Sequence, residues 1–103
     1  MPFVRVSVVR PKRGKEEAVR EVIDELVAYY GRQPGCVDGY RLEHTDGSSR
    51  FGRIGIWQTE ADAQQAAQTE HDLALRAKLN ALVDQATHEE YSFDGTPAAV
   101  PST

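Results

Sequence analysis

The residue types best suited to chemistry gather in Arg50-Phe51-Gly52-Arg53-Ile54-Gly55-Ile56-Trp57. Aromatic and β-branched residues dominate this stretch, which favours a strand, and a strand points successive side chains to opposite faces. One face carries Ile54 and Ile56 and is structural. The other carries Phe51, Arg53 and Trp57, with a gap at Gly55 where a flat ligand fits. An indole interacts with aromatic rings, and a guanidinium stabilises a phenolate or carboxylate. Arg5 and Ser7 fall on the mixed row of an N-terminal strand and extend the same candidate site. Arg5 and Arg53 can equally pair with Glu89, Glu90 or Asp38. Tyr40 and Tyr91 offer hydroxyls to a substrate oxygen, although the rim of a sheet is an ordinary place for tyrosine. His71 lies four residues before Leu75, one turn into a helix. There the helix dipole favours the neutral imidazole, a base able to take a proton from a phenol. The alternative is a boundary histidine bonded to its own helix cap.

Other chemistries find no support. His44, His71 and His88 show none of the short spacings of a metal site, so no metal is expected. Cys36, directly after Pro34-Gly35, reads as a small buried apolar residue without a neighbouring base. Gly52 and Gly55 do not form a phosphate loop, because no strand-to-helix turn follows them. Twelve basic against sixteen acidic residues give a net charge of -4, the wrong sign for a nucleic-acid surface. No run approaches the roughly 20 apolar residues that cross a bilayer. A single cysteine and an N-terminus without an apolar leader imply a reducing, cytoplasmic setting.

The elements that must position these residues follow from periodicity. Phe3 to Arg10 is a strand, with Val4, Val6 and Val8 on one row and Phe3, Arg5, Ser7 and Val9 on the other. From Lys15 to about Tyr30, Val19, Val22, Ile23, Leu26, Val27 and Tyr30 trace one helical stripe. Cys36 to Thr45 and the Arg50 to Trp57 stretch form a hairpin through Asp46-Gly47-Ser48-Ser49. Thr59 with Asp62, then Thr69 with Asp72, mark two successive helix starts and a break near Gln68. The second helix is expected to bury Leu75, Leu79, Leu82, Val83 and Ala86. Thr87 to Asp94 is a last strand, and 95–103 a disordered tail beyond a single domain, 1–94.

This order is a ferredoxin-like split βαββαβ: an α+β fold with a four-stranded antiparallel sheet and helices on one face. Both rows of the sheet are apolar and the helices cover only one of them. The exposed row is therefore expected to pair sheet against sheet in a homodimer.

With the elements placed, the chain from Phe3 to Phe93 resembles the antibiotic-biosynthesis-monooxygenase-like family of dimeric α+β barrels. The resemblance is carried by a strand ending in Pro11 and Gly14 before an amphipathic helix, by Gln33-Pro34-Gly35-Cys36-Val37 and by Tyr40-Arg41-Leu42. Ile54-Gly55-Ile56-Trp57-Gln58, an alanine-rich helix and His71 complete it. It implies a dimer and, in each subunit, a pocket between sheet and helices. It also implies oxygenase chemistry on a small aromatic, phenolic or quinol substrate, using neither metal nor flavin. In that reading His71 takes the proton, Arg53 or Tyr40 holds the anion, Trp57 stacks on the ring, and Arg5, Ser7, Phe51 and Tyr91 complete the binding surface. The haem-degrading branch of the family carries an Asn on the first strand and a His ligand on the helix after the Trp. Here Ser7 stands at the former position and Ala66 near the latter, so haem is not expected. A dimeric small-molecule-binding or stress-associated protein without turnover is the second reading, and an isomerase or decarboxylase the third.

Overall fold

The computed structural model describes residues 2–98. Its elements run β1 (Phe3–Val9), α1 (Glu16–Gly31), β2 (Cys36–Glu43), β3 (Phe51–Trp57), α2 (Glu60–Ala67), α3 (Glu70–Leu82), a short 3-10 turn (Gln85–Thr87) and β4 (Glu89–Asp94). The strands form one antiparallel sheet in the order β2-β3-β1-β4. This is the ferredoxin-like α+β arrangement that the periodicity implies. The helix break falls where two caps compete: the Thr59 hydroxyl accepts from the Asp62 amide and the Thr69 hydroxyl from the Asp72 amide. The last helix stops at Leu82 rather than reaching Ala86, which is exposed; Asp84 caps the 3-10 turn instead. Residues 99–103 of the expected tail lie outside the described residues, while Gly95 still donates its amide to Pro2 O at 2.7 Å.

Burial separates the two faces of the sheet. The odd row of β1 and β3 lies under the helices, with Phe3, Ser7, Val9, Phe51 and Trp57 all buried. Two apolar groups hold the layers together. The larger joins Val9 and Phe51 to Val19, Val22, Ile23 and Leu26 of α1 and to Leu75, Leu79 and Val83. Side chains of this kind contribute roughly 1.5–3 kcal/mol each when fully buried. The smaller joins Phe3 and Trp57 to Ala63 and Ala66 of α2.

The even row is uncovered in the single chain. Register aligns Tyr40, Ile54, Val6 and Tyr91 across the four strands, with Ile56, Val4 and Phe93 in the next rank. The valines and isoleucines are half-buried there, and Tyr40, Tyr91 and Phe93 are about half exposed.

Candidate active site

A pocket opens where the helices diverge over the middle of the sheet. Cross-strand register builds its floor: Gly39, Gly55 and Arg5 are aligned in one rank, and Arg53, Ser7 and Glu90 in the next. Tyr30 closes the pocket from the end of α1, and Arg76 comes from α3. Its enclosed volume is about 50 Å³. A dry cavity that admits benzene measures roughly 150 Å³. The lining reaches across the sheet from Asp38 of β2 to Glu90 of β4.

Four of the residues singled out from sequence line this pocket: Arg5, Ser7, Arg53 and Trp57. The other four do not. Phe51 is buried in the larger core group, its ring covered by the Arg20 guanidinium at 4.8 Å. Tyr40 and Tyr91 stand on the opposite face of the sheet, because strand alternation fixes their side once Gly39 and Glu90 face the helices. Their hydroxyls are occupied by Asp38 at 2.7 Å and Glu89 at 3.2 Å. His71 is exposed and lies against the Tyr29 ring, centroids 4.4 Å apart, on the outer surface. Its spacing from Leu75 puts it at the edge of the buried stripe, but the residue facing inward is its neighbour Asp72.

Trp57 also differs from expectation. Its ring occupies the gap at Gly55, where an added Cβ would come within 2.9 Å of Trp57 Nε1. With 3% exposure, it presents little of its face to a ligand. The Tyr30 ring meets it edge-on, centroids 5.7 Å apart. Nε1 makes no hydrogen bond among the described residues, so it remains available as a donor.

Tyr30 and Arg76, not singled out from sequence, form the pocket's far wall, and Asp72 lies behind them. Asp72 is fully buried. One of its carboxylate oxygens accepts from the Tyr30 hydroxyl and the other from Arg76 Nε at 2.7 Å. Arg76 is tied again to Ala67 O at 2.8 Å. Burial pushes the Tyr30 phenol well above its ordinary range, against the pull of Arg53 and with the help of the bond to Asp72. Tyr30 is thus a neutral donor committed to Asp72, not a base. The available signal was Asp72 and Arg76 at helical i,i+4 spacing, facing the last member of the α1 stripe.

The remaining ionisable groups are largely engaged. Arg5 Nε lies 3.5 Å from Ser92 Oγ and 3.8 Å from Glu90. Asp38 accepts from the Tyr40 hydroxyl and the Gly39 amide, which holds its carboxyl below the ordinary carboxylate range. Burial, then Asp38, raises the Cys36 thiol, which disfavours a nucleophilic thiolate. Two residues stand apart. Arg53 has neither an ion pair nor a hydrogen bond among the described residues and only overlies the Tyr30 ring at 6.0 Å. Ser7 Oγ is buried with no hydrogen-bond partner among the described residues.

Among the described residues no group of three or more His, Cys, Asp or Glu could hold a metal ion. The positions of the haem pattern do not fit haem: Ala66 is packed in the smaller core group and His71 points away from the pocket. No described helix is long and apolar enough to cross a membrane.

A split βαββαβ chain folded into one antiparallel sheet, with an aromatic and arginine-bearing pocket under its helices, has the ferredoxin-like α+β architecture. The family itself follows from comparison: residues 2–78 match the family model described as antibiotic biosynthesis monooxygenase, and the chain belongs to that family. Solved structures share the fold. SnoaB, a cofactor-independent oxygenase from Streptomyces nogalater, superposes with a TM-score of 0.81 at 22% identity, over 94% of this chain and 95% of that one. Rv0793 from Mycobacterium tuberculosis gives 0.84 at 16% identity, over 97% and 100%. A conserved protein from Methanosarcina mazei gives 0.85 at 14%, over 93% and 94%. Identities this low carry the architecture rather than the site. Comparison with curated proteins gives no match.

Proposed function

We propose that the protein is a cofactor-independent monooxygenase that oxidises a small aromatic, phenolic or quinol substrate with dioxygen. The observation that carries this reading is the pocket itself: it is lined by Tyr30 and an edge of Trp57 and, among the described residues, holds an unpaired guanidinium at Arg53 beside an unpartnered Ser7 hydroxyl. Family membership and the likeness to an oxygenase of this type support it. In the net reaction a ring carbon loses its hydrogen, the phenol loses its proton, and one oxygen atom of dioxygen becomes the new carbonyl. The other atom leaves as water, so the substrate supplies all four electrons that dioxygen takes up. The protein contributes orientation, exclusion of water and stabilisation of negative charge. Arg53, Ser7, Trp57 and Arg5 carry these roles, and His71 none.

The working unit in this reading is a homodimer joined through the Val4, Val6, Ile54 and Ile56 face, in a reducing cytoplasm that keeps Cys36 as a thiol. A second reading, binding without turnover, is favoured by one observation: among the described residues no histidine or lysine lines the pocket. Oxygen uptake with a panel of hydroquinones and naphthols separates the two. An oxygenase loses at least about tenfold in rate on Trp57→Ala and stays within about twofold on His71→Ala. Ligand-induced thermal stabilisation with no uptake by the wild type would establish the binder instead. Turnover under anaerobic conditions would point to an isomerase or decarboxylase.

A further inference from the structure

One rank of the sheet, Arg53 of β3, Ser7 of β1 and Glu90 of β4, crosses the pocket floor, and all three residues line the pocket. Neighbouring strands lie roughly 4.8 Å apart, so the short serine leaves a gap between two long side chains of opposite charge. Ser7 is 2% exposed and its Oγ has no hydrogen-bond partner among the described residues. Buried polar groups are nearly always satisfied, so an unpartnered one in a pocket wall points to a ligand atom. A guanidinium only donates hydrogen bonds, a carboxylate only accepts them and a hydroxyl does both. The rank therefore presents a donor, a group of either kind and an acceptor, in that order.

The charges around this rank balance. Arg5, Arg53 and Arg76 line the pocket together with Asp38 and Glu90, and Asp72 lies behind Arg76: among the described residues, three guanidiniums face three carboxylates. Arg76 is bonded to Asp72 at 2.7 Å, and Asp38 accepts from the neutral donors Gly39 N and Tyr40 Oη. Glu90 has a loose contact with Arg5 Nε at 3.8 Å, and its side chain is 52% exposed. Arg53 has no ion pair among the described residues and overlies the Tyr30 ring. An anionic group over Ser7 meets Glu90 and a cationic group meets Arg53, so either leaves one end of the rank facing a like charge. A neutral group that carries an acceptor and a donor satisfies both ends.

We propose that the pocket binds its ligand as a neutral molecule, through a carbonyl oxygen directed to Arg53 and an adjacent hydroxyl or amide N–H directed to Glu90, with Ser7 Oγ between the two. This rests on reading the pocket as an aromatic site, concerns the ligand before any reaction, and makes Glu90 the residue that sets specificity there. Like charge rejects the wrong ligand and an unpaired polar group penalises an incomplete one, which is how a polar site discriminates between molecules of one shape. Replacing Glu90 removes a negative charge and releases Arg5, so the preference should then move toward anions.

Benzamide, acetophenone, benzoate and benzamidinium have nearly one shape and present, in turn, an acceptor with a donor, an acceptor alone, an anion and a cation. Binding is read from the indole N–H resonance of Trp57, the chain's single tryptophan, whose Nε1 lies over Gly55 beside the rank. Benzamide is expected to bind at least about fivefold more tightly than each of the others, a reduced share of one hydrogen bond to a charged group because Glu90 is half exposed. Glu90→Gln keeps an acceptor and loses the charge, so it should bring benzoate to within about twofold of benzamide while acetophenone stays behind. Glu90→Leu should bring acetophenone level as well, and Ser7→Ala should weaken benzamide. Thermal melts establish that each variant is folded. Benzoate, benzamidinium or acetophenone binding the wild type as tightly as benzamide, or ratios unmoved in both Glu90 variants, would each overturn the proposal and leave the aromatic pocket standing. If no probe moves the Trp57 resonance, the proposal and the aromatic reading fall together.

Discussion

Asp72 is the most consequential side chain that the hydrophobic pattern does not reveal, and replacing it with alanine should be severe. The carboxylate is fully buried and accepts from both Tyr30 and Arg76. Removing one partner of a buried ion pair costs about 3–5 kcal/mol when the other charge stays buried. Arg76 keeps 39% side-chain exposure and can rehydrate, so its share falls well below that range. Tyr30 cannot, and its orphaned hydroxyl adds about 1–3 kcal/mol. The expected loss for Asp72→Ala is therefore about 3 kcal/mol, a large part of the roughly 5–15 kcal/mol that holds a domain together. For a chain this size that is a fall in Tm of roughly 12–24 °C.

Asp72→Asn is the informative companion. Its amide oxygen still accepts from Tyr30, while its NH2 cannot accept from Arg76, so the loss should be only about 1–2 kcal/mol. Urea denaturation of Tyr30→Phe, Asp72→Ala and the double variant completes the cycle, with an expected coupling of about 1–2 kcal/mol. An Asp72→Ala loss below about 1 kcal/mol, or additive single effects, would mean that Tyr30, Asp72 and Arg76 do not act as a unit.

Three further outcomes follow from the same geometry. Because burial raises the Tyr30 phenol above its unfolded value, the folded state holds that proton more tightly. Its contribution is complete below about pH 10 and is lost above it, at up to ~1.4 kcal/mol per pH unit; Tyr30→Phe should remove this part of the alkaline slope in urea titrations. Ile54→Lys, in the middle of the uncovered face, should shift sedimentation from dimer to monomer at micromolar concentration, whereas a monomeric wild type would contradict the sheet-to-sheet pairing. Gly35 and Gly47 both have positive φ, 84° and 79°, but only at Gly35 would a Cβ collide, 2.2 Å from Asp62 Oδ2. Alanine at Gly47 should cost about 1–2 kcal/mol and at Gly35 clearly more, and equal thermal melts would contradict the clash.

The contrast between what was legible in the sequence and what was not has a physical origin. Period two in β1 and β3 and period 3.6 in α1 are driven by burial of apolar side chains, so they identified these elements and separated the two faces of the sheet. Register then carried Arg5, Ser7, Arg53 and Trp57 to one pocket, because alternation alone puts them on one side. Tyr40 and Tyr91 were mistaken for the same reason: their parity in β2 and β4 depends on pairings that neither strand specifies by itself. Gly39 opposite Gly55 fixes the first, and Glu90 opposite Ser7 the second.

The exchange of His71 for Asp72 shows the limit of hydrophobic patterning more sharply. Successive helical residues are about 100° apart, so one position separates the outer surface from the core. A histidine beside a leucine stripe is the natural choice for the inward place, and an aspartate the least natural, because a buried carboxylate is costly unless paired. Here the pairing comes from Tyr30, forty-two positions away in sequence, and from Arg76, one turn along. Only the tertiary fold supplies the first of these. Its consequence lies in the pocket: His71 is outside, Tyr30 is held as a neutral wall, and the charges that face the cavity come from the sheet, Arg53 without an ion pair among the described residues and Asp38 held only by the neutral donors Gly39 N and Tyr40 Oη.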